Sequence, residues 1–223
     1  MNVIPLNLLT ISLCCLTVSM GSYPTSKPIP ENESPSSNMT MQERRWHKAK
    51  VDPKWRSRAE AAVNRYVANR NRYAAIENLR PSPSVPARVI FGLHGMESTW
   101  SFNKHLHEGS SLRRRTRWVP KGRPHGTPPF TWEESAEDVL YKLKDMENWD
   151  WSNLDSMLQN IETYNGLGYQ RYHKSVPSPY LWSGTTIYTR GKYVSDKKWS
   201  SMAVSKQLGV AAMLKVMQER GIK

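Results

Sequence analysis

Residues 89–102, V-I-F-G-L-H-G-M-E-S-T-W-S-F, place one carboxylate on the apolar side of a short predicted helix. Val89, Ile90 and Leu93 recur at helical spacing, and Glu97 falls on the same stripe as Ile90 and Leu93. Burial disfavours the charged form of a carboxyl group and therefore raises its pKa. A carboxyl group that keeps its proton near neutral pH suits a general acid. In the alternative interpretation, Glu97 faces solvent at the helix end or pairs with an arginine.

The composition indicates one medium-sized domain with an appendage and a polyanionic partner. The chain has 223 residues and a net charge of +13, with a sequence pI of about 9.8. Such a charge favours nucleic acid, an anionic membrane or a charged cell-wall polymer, without choosing among them. The chain also has nine tryptophans and ten tyrosines, whose flat rings suit sugar faces and nucleic-acid bases equally.

Residues 1–21 are predicted to be a signal peptide or an N-terminal anchor. Residues 4–20 are apolar with small hydroxylated residues, but the run is too short and too polar for a comfortable membrane span. No Lys or Arg precedes it, which argues against a signal peptide. Cys14 and Cys15 lie inside the run, so a cleaved chain would need neither disulfides nor a reducing compartment. We expect export, to the periplasm or the medium, with a membrane tether through residues 4–20 as the alternative.

Residues 22–40 are predicted to be a flexible linker, because they are rich in Pro, Ser and Asn and have almost no apolar content. The folded domain is expected to cover residues 41–223. Periodicity predicts a mainly α fold of about five helices, near residues 54–79, 86–97, 131–143, 153–165 and 203–220. Thr131 and Glu134 form a capping box, and Gly166 is placed to end the fourth helix. Long, irregular, aromatic-rich loops connect the helices, with at most a short hairpin at residues 188–193.

The longest irregular segment, residues 100–129, carries several polar motifs. It contains H-L-H-E-G at 105–109, R-R-R-T-R at 113–117 and K-G-R-P-H-G-T-P-P at 121–129. Long ordered loops in compact domains are usually functional. The positive charge of the arginine run would attract nucleic acid, but no predicted helix or sheet presents it. We therefore expect no nucleic-acid partner.

Four residues in this region have side chains that bind zinc in other proteins: His94, Glu97, His105 and His107. His94 and Glu97 are three residues apart on one helix, which is a permissible ligand spacing. The two loop histidines would point to opposite sides of an extended chain, and no H-E-x-x-H motif is present. We therefore expect no metal and no cofactor.

Residues around Glu97 suggest two other chemistries. Ser98 lacks the G-x-S-x-G elbow of a nucleophilic serine, so it is expected to cap the helix end or orient Glu97. Glycoside hydrolysis by two carboxylates would need a partner several ångströms from Glu97. Glu108 and Glu162 are the candidates for that second carboxylate.

These motifs resemble those of the lysozyme-like superfamily. Glu97-Ser98 at a helix end, followed downstream by the turn Tyr164-Asn165-Gly166, is similar to the pattern of goose-type lysozymes and soluble lytic transglycosylases. A closer resemblance is to the bacterial and phage group of lysozyme family proteins. It rests on H-x-x-E-S-x-x-x-F from 94, H-L-H-x-G from 105, R-T-x-x-V-P-x-G-R-P from 115, P-P-F-T-W-E-x-S-A from 128, E-x-Y-N-G-x-G-Y from 162 and S-P-Y-L-W-S-x-T-x-x-Y-x-x-G-K-Y-V from 178.

The resemblance runs from about residue 85 to the C-terminus and departs from the group at one place. This chain reads Glu108-Gly109-Ser110 where the group has Asn-Gly-Asp. If that Asp positions water, Ser110 does not replace it and Glu108 is the substitute.

The resemblance implies a lysozyme-like α+β fold and cleavage of the β-1,4 bond between N-acetylmuramic acid and N-acetylglucosamine in peptidoglycan. Glu97 would be the general acid, and water (hydrolase) or the sugar's own 6-hydroxyl (lytic transglycosylase) would complete the reaction. A non-catalytic peptidoglycan-binding protein is the remaining alternative. We expect a monomer, either exported or phage-encoded and delivered to the periplasm. The implied catalytic residues are Glu97, Ser98, Glu108 and Glu162, and the implied substrate-binding residues are His94, Trp100, His105, His107, Tyr164, Asn165, Tyr169, Tyr180 and Trp182. About half of the aromatic residues in that set are expected to pack in the core instead.

Overall fold

The computed structural model describes residues 38–223, and this part of the chain is mainly helical. The eight α-helices of this part are α1 (Met41–Lys48), α2 (Arg56–Glu77), α3 (Ala87–Ser98), α4 (Trp132–Glu137), α5 (Leu154–Asn165), α6 (Gly168–Tyr172), α7 (Pro179–Trp182) and α8 (Val210–Glu219). A π-helical turn, Asp138–Leu143, continues α4, and 3-10 turns occupy Pro53–Trp55 and Met146–Asn148. The strands β1 (Lys192–Ser195) and β2 (Lys198–Ser200) pair as an antiparallel hairpin.

The core is built around α3, which packs against both α2 and α8. The long helix α2 buries one face, which includes Tyr66 and Tyr73. Because helices cover α3 on two sides, nearly all of its residues are buried. Gly92 makes the approach of α8 possible, since a Cβ at this position would lie 2.5 Å from a methyl group of Val210. This packing fixes the direction in which each side chain of α3 points.

The predicted mainly α fold is confirmed, but the estimate of about five helices is too low. The additional helices α1, α6 and α7 have eight, five and four residues. Segments this short show too few turns for hydrophobic periodicity to identify them. The predicted start of α4 and end of α5 are confirmed: Thr131 and Glu134 form the capping box of α4, and Gly166 follows α5 with a φ of 107°.

Two predicted boundaries near the C-terminus are wrong. The hairpin lies at residues 192–200 rather than 188–193. Tyr188 is outside it, and its hydroxyl accepts a hydrogen bond from the backbone N–H of Ser205 at 3.1 Å. The last helix begins at Val210 rather than near residue 203. Gly209 lies so close to α7 that a Cβ there would be 2.6 Å from the backbone oxygen of Leu181. Residues 203–209 are therefore an irregular segment whose end packs against α7, and α8 begins only after it.

The predicted signal peptide or anchor, residues 1–21, lies outside the described residues, as does most of the predicted linker. Within residues 38–40, Thr40 caps α1 through a capping box with Glu43. In residues 38–223 no helix is both long enough and apolar enough to cross a membrane.

Candidate active site

Glu97 lies in the last turn of α3, at a well-defined helix end. Thr99 and Trp100 both adopt left-handed backbone conformations, with φ values of 53° and 59°, and so turn the chain away from the helix axis. The Glu97 side chain points to the side of α3 that faces the end of α5 and the short helix α7. The hydroxyl of Tyr180 in α7 donates a hydrogen bond to Glu97 Oε1 at 2.8 Å. The carboxyl group is therefore held in one place rather than free at the surface.

Burial raises the pKa of Glu97 from 4.5 to about 7. The hydrogen bond from Tyr180 and the positive charge of Lys144 lower this pKa, and the negative charge of Glu108 raises it, but desolvation has the largest effect. Near neutral pH the group is thus distributed between its protonated and ionised forms. This is the condition in which one carboxyl group can donate a proton and later accept one.

Two buried tyrosines form the wall beside Glu97. The rings of Tyr164 in α5 and Tyr180 in α7 lie 6.4 Å apart, centroid to centroid. Burial raises the pKa of both phenols well above the ordinary value of 10.0, and the charge of Glu97 adds to this effect. Tyr180 therefore stays a neutral hydrogen-bond donor to the carboxyl group over the whole physiological pH range.

Lys144 supplies the positive charge beside Glu97. Its ammonium group donates a hydrogen bond to the backbone oxygen of Tyr164 at 3.0 Å and lies 4.5 Å from the centre of the Tyr164 ring. Burial lowers the pKa of Lys144, and the attraction to Glu97 opposes that change. Lys144 is not identifiable from the sequence, because nothing in its local pattern separates it from the chain's other lysines.

A short loop, residues 103–112, carries Glu108 to the end of α3. Backbone N–H groups of His105 and Gly109 donate hydrogen bonds within the loop, at 2.7 Å to Ser110 and 3.0 Å to His105. The hydroxyl of Tyr164 fixes the loop further by donating to the backbone oxygen of Leu106 at 3.1 Å. Gly109 has a φ of 79°, and a Cβ there would lie 2.5 Å from the backbone oxygen of Glu97, so only glycine fits this contact well.

Glu108 is thereby placed within electrostatic reach of Glu97. Its Oε1 accepts hydrogen bonds from the hydroxyl and from the backbone N–H of Ser110. Its Oε2 is buried and has no hydrogen-bond partner among the described residues. The structure therefore brings together Glu97 and one of its two candidate partner carboxylates.

Glu162, the other candidate, lies on the opposite side of α5 and this prediction is wrong. Glu162 and Tyr164 are two residues apart in a helix, which separates their side chains by about 200°. Because Tyr164 faces Glu97, Glu162 faces away from it, toward α1. It lines a cavity with Gln42 and Arg45.

Neither Ser98 nor His94 contacts the carboxyl group of Glu97 through a hydrogen bond among the described residues. The Ser98 hydroxyl donates to the backbone oxygen of His94 at 3.2 Å, which stabilises the helix end and not the carboxyl group. His94 is fully buried, with Nδ1 2.9 Å from the Tyr73 hydroxyl and its ring packed on Trp132. Burial lowers the pKa of His94 to about 4, so this imidazole is neutral. Ser98 therefore has the helix-end role, one of the two expected for it, and His94, predicted to bind substrate, has a structural role instead.

His105 and His107 converge on one hydroxyl group, contrary to the prediction that they point apart. Their Nδ1 atoms lie 3.0 and 3.1 Å from Ser135 Oγ, and His107 Nε2 lies 2.8 Å from Asp138 Oδ2. Ser135, His107 and Asp138 thus have the order of a hydrolytic triad. Ser135 and His105 have no exposed surface, however, and His107 is 7% exposed, so no substrate reaches this serine. Neither histidine is placed to bind substrate.

Replacing Ser135 by alanine tests whether this network is only structural. We expect S135A to lower the free energy of unfolding by about 2 kcal/mol or more, because the Leu106 N–H and two imidazoles lose a buried partner. The activity per folded molecule should not change. Urea unfolding beside an activity assay measures both quantities, and S201A, at an exposed serine, is the control. A stable but inactive S135A would instead identify Ser135 as a nucleophile.

The remaining predicted substrate contacts divide into buried and accessible residues. Trp182 is fully buried, and Trp100 stacks on Phe91 on the side of α3 opposite Glu97, so both predictions are wrong. Tyr180 and Tyr164 are buried and act through Glu97 and the loop. Tyr169 packs against the hairpin, and its ring contacts Tyr193 and Trp199. The only member of this set that is exposed is Asn165, at the end of α5.

One cavity in this part of the chain reaches the same loop as Glu108. Its volume is about 460 Å³, and its lining includes Phe102, Asn103, Ser111 and Phe130. Glu97 itself lines neither this cavity nor the one beside Glu162. Residues 38–223 contain no group of three or more His, Cys, Asp or Glu side chains that could hold a metal ion.

Comparison with known proteins gives no match: no family model, no curated protein and no solved structure is similar to this chain. The resemblance to lysozyme family proteins therefore depends on the sequence motifs alone. The geometry and electrostatics of the site are therefore the structural basis for inferring its function.

Proposed function

We propose that this protein is a glycosidase that cleaves the β-1,4 bond between N-acetylmuramic acid and N-acetylglucosamine in peptidoglycan, with Glu97 as the general acid. The observation that carries this proposal is the half-buried carboxyl group of Glu97, whose pKa of about 7 leaves it partly protonated at neutral pH. The motifs shared with lysozyme family proteins support the choice of substrate. Two of them, Glu97-Ser98 and the turn beginning at Tyr164, lie side by side in the fold.

The neighbours of Glu97 suit both halves of an acid–base cycle. The protonated carboxyl group donates its proton to the glycosidic oxygen as the bond breaks. The carboxylate that remains accepts the hydrogen bond of Tyr180 and is attracted by Lys144. Water, positioned by Glu108 and losing its proton to that carboxylate, or the sugar's own 6-hydroxyl then reacts with the oxocarbenium-like centre. In the second route Glu97 removes the hydroxyl proton, and no second carboxylate is required.

The basic surface supports a cell-wall polymer as the partner. Arg113, Arg114, Arg115 and Arg117 are all exposed on the loop that follows Glu108. Wall polymers that carry negative charge would be attracted to this loop, and added salt would weaken the attraction. Export directed by residues 1–21 would bring the protein to that polymer, and a monomer that binds no nucleic acid remains our expectation.

Analysis of the reaction products tests the proposal and separates its two forms. Purified peptidoglycan is incubated with the full chain, and the soluble muropeptides are identified by mass spectrometry. A hydrolase releases reducing N-acetylmuramic acid ends, whereas a lytic transglycosylase releases 1,6-anhydro ends. If no muropeptide appears above the level of an enzyme-free control, the proposed activity is wrong.

The pH dependence of the reaction provides an independent check on the role of Glu97. A general acid is active when protonated, so the rate should fall as the pH rises through about 7. Y180F and K144M each remove a group that lowers the Glu97 pKa, so they should move this decline to higher pH. E108Q removes a negative charge that raises the pKa, so it should move the decline to lower pH.

The exposed residues Tyr172 and Lys198 provide matched controls for two of these variants. Y172F and K198M should leave the pH profile of kcat/KM unchanged. If Y180F and E108Q shift the profile in the same direction, Glu97 does not titrate as the general acid.

A further inference from the structure

A second cavity lies on the side of α5 that faces away from Glu97. Its volume is about 210 Å³, and residues of α1, α5 and α6 line it. Liquid water occupies about 30 Å³ per molecule, so this space holds a group the size of an amino acid. Its lining includes Glu162 and Gln42 together with Arg45.

Two buried acceptor oxygens in this cavity lack hydrogen bonds. Glu162 is 4% exposed and Gln42 is 7% exposed. Oε1 of each side chain is buried and receives no hydrogen bond of good geometry from the described residues. Gln42, Gln170 and Trp182 lie close enough to lower the Glu162 pKa, but burial has the larger effect and raises it. Buried acceptors without donors are uncommon in folded proteins, because their desolvation is not offset.

A half-buried positive charge, Arg45, faces the same space without pairing directly with Glu162. The Arg45 guanidinium donates a hydrogen bond to the backbone oxygen of Lys174 at 2.9 Å. Arg45 and Glu162 attract each other electrostatically, yet within residues 38–223 the two groups form no ion pair. An anion and a cation that line one cavity without touching match a ligand that carries both charges.

We propose that this cavity binds the zwitterionic group of an amino acid. The ligand's ammonium group donates to Glu162 Oε1 and Gln42 Oε1, and its carboxylate accepts from Arg45. The ligand is either a free amino acid or a peptide side chain that keeps both a free ammonium and a free carboxylate, as in a branched stem peptide of the cell wall. The binding does not depend on the proposed glycosidase activity, because the cavity and Glu97 lie on opposite sides of α5.

L-Alanine and the two molecules that each lack one of its charged groups test which charges the cavity requires. L-alanine carries both charges, ethylamine only the positive charge and propionate only the negative one. Binding to the full chain is measured by titration calorimetry and by NMR shifts of residues in α1 and α5. We expect saturable binding of alanine at millimolar concentrations, and binding of the other two that is weaker by about tenfold or more.

Variants at both ends of the cavity locate the binding. E162Q and R45M should each weaken alanine binding by about tenfold or more, whereas D196N, at an exposed turn residue, should not. Thermal unfolding confirms that each variant is folded. A disaccharide tetrapeptide that binds much more tightly than alanine identifies the wall stem peptide as the source, and equal affinities identify free amino acids. Absence of saturable binding by every probe, or binding that neither variant weakens, would overturn the proposal.

Discussion

Replacing Glu97 by glutamine is expected to lower the rate of peptidoglycan cleavage by about 10²–10⁴-fold, the usual contribution of a general acid. Glutamine has nearly the same shape and still accepts the hydrogen bond of Tyr180. It has no proton to give to the glycosidic oxygen, so the loss should appear in kcat. Release of muropeptides from purified peptidoglycan, followed over time, measures the effect.

Binding to insoluble peptidoglycan distinguishes an enzyme from a binding protein of the same fold. E97Q should sediment with peptidoglycan as well as the unaltered chain does, because its charge change is small beside the total of +13. E60Q, at a half-exposed carboxylate in α2, is the matched control and should retain full activity. A non-catalytic peptidoglycan-binding protein would show no cleavage before or after the substitution and no change in binding.

E97Q should also be more stable than the unaltered protein, by up to about 3 kcal/mol at pH 8. The pKa of Glu97 is about 7 when folded and 4.5 as the reference value, a difference equivalent to about 3 kcal/mol. Because the folded pKa is raised, the folded state binds the proton more tightly than the unfolded state. The buried carboxylate therefore costs its full amount above pH 7, and the cost disappears as the pH falls toward 4.5. Glutamine avoids this cost at every pH.

Urea unfolding of both proteins between pH 5 and pH 8 measures this difference in stability. The comparison at each pH is needed because buried histidines act in the opposite direction. Burial lowers the pKa of His94 and His107 to about 4, so acid favours the unfolded state as the pH falls below about 6.5. Both proteins contain these histidines, so their effect cancels in the difference. A stability difference that does not change with pH would show that Glu97 has an ordinary pKa.

The stability result and the activity result do not depend on each other. A buried carboxyl group that destabilises the fold is expected where function requires it, since selection otherwise removes such a cost. If E97Q gains stability at high pH but the unaltered chain cleaves no peptidoglycan, the site is real and the substrate is different. If neither effect appears, Glu97 has only a structural role.

The sequence by itself determined the helical class and the position of the carboxyl group on α3. Both follow from local spacing, because apolar residues at helical intervals must share one face whatever covers it. The ends of α4 and α5 were equally local, since Thr131 caps its own helix and Gly166 supplies the positive φ that follows α5. These features involve residues close together in the chain, where geometry leaves few choices.

Only the tertiary structure decided which groups surround Glu97. Tyr180 reaches it from 83 residues away, and Lys144 reaches it from another helix end. The same packing buried His105 and His107 around Ser135 and turned Glu162 toward a different cavity. Helix geometry shows that two side chains of one helix diverge, but the neighbours each one meets depend on how distant segments pack. The pKa of the carboxyl group depends on that packing, because desolvation by those segments is its largest cause.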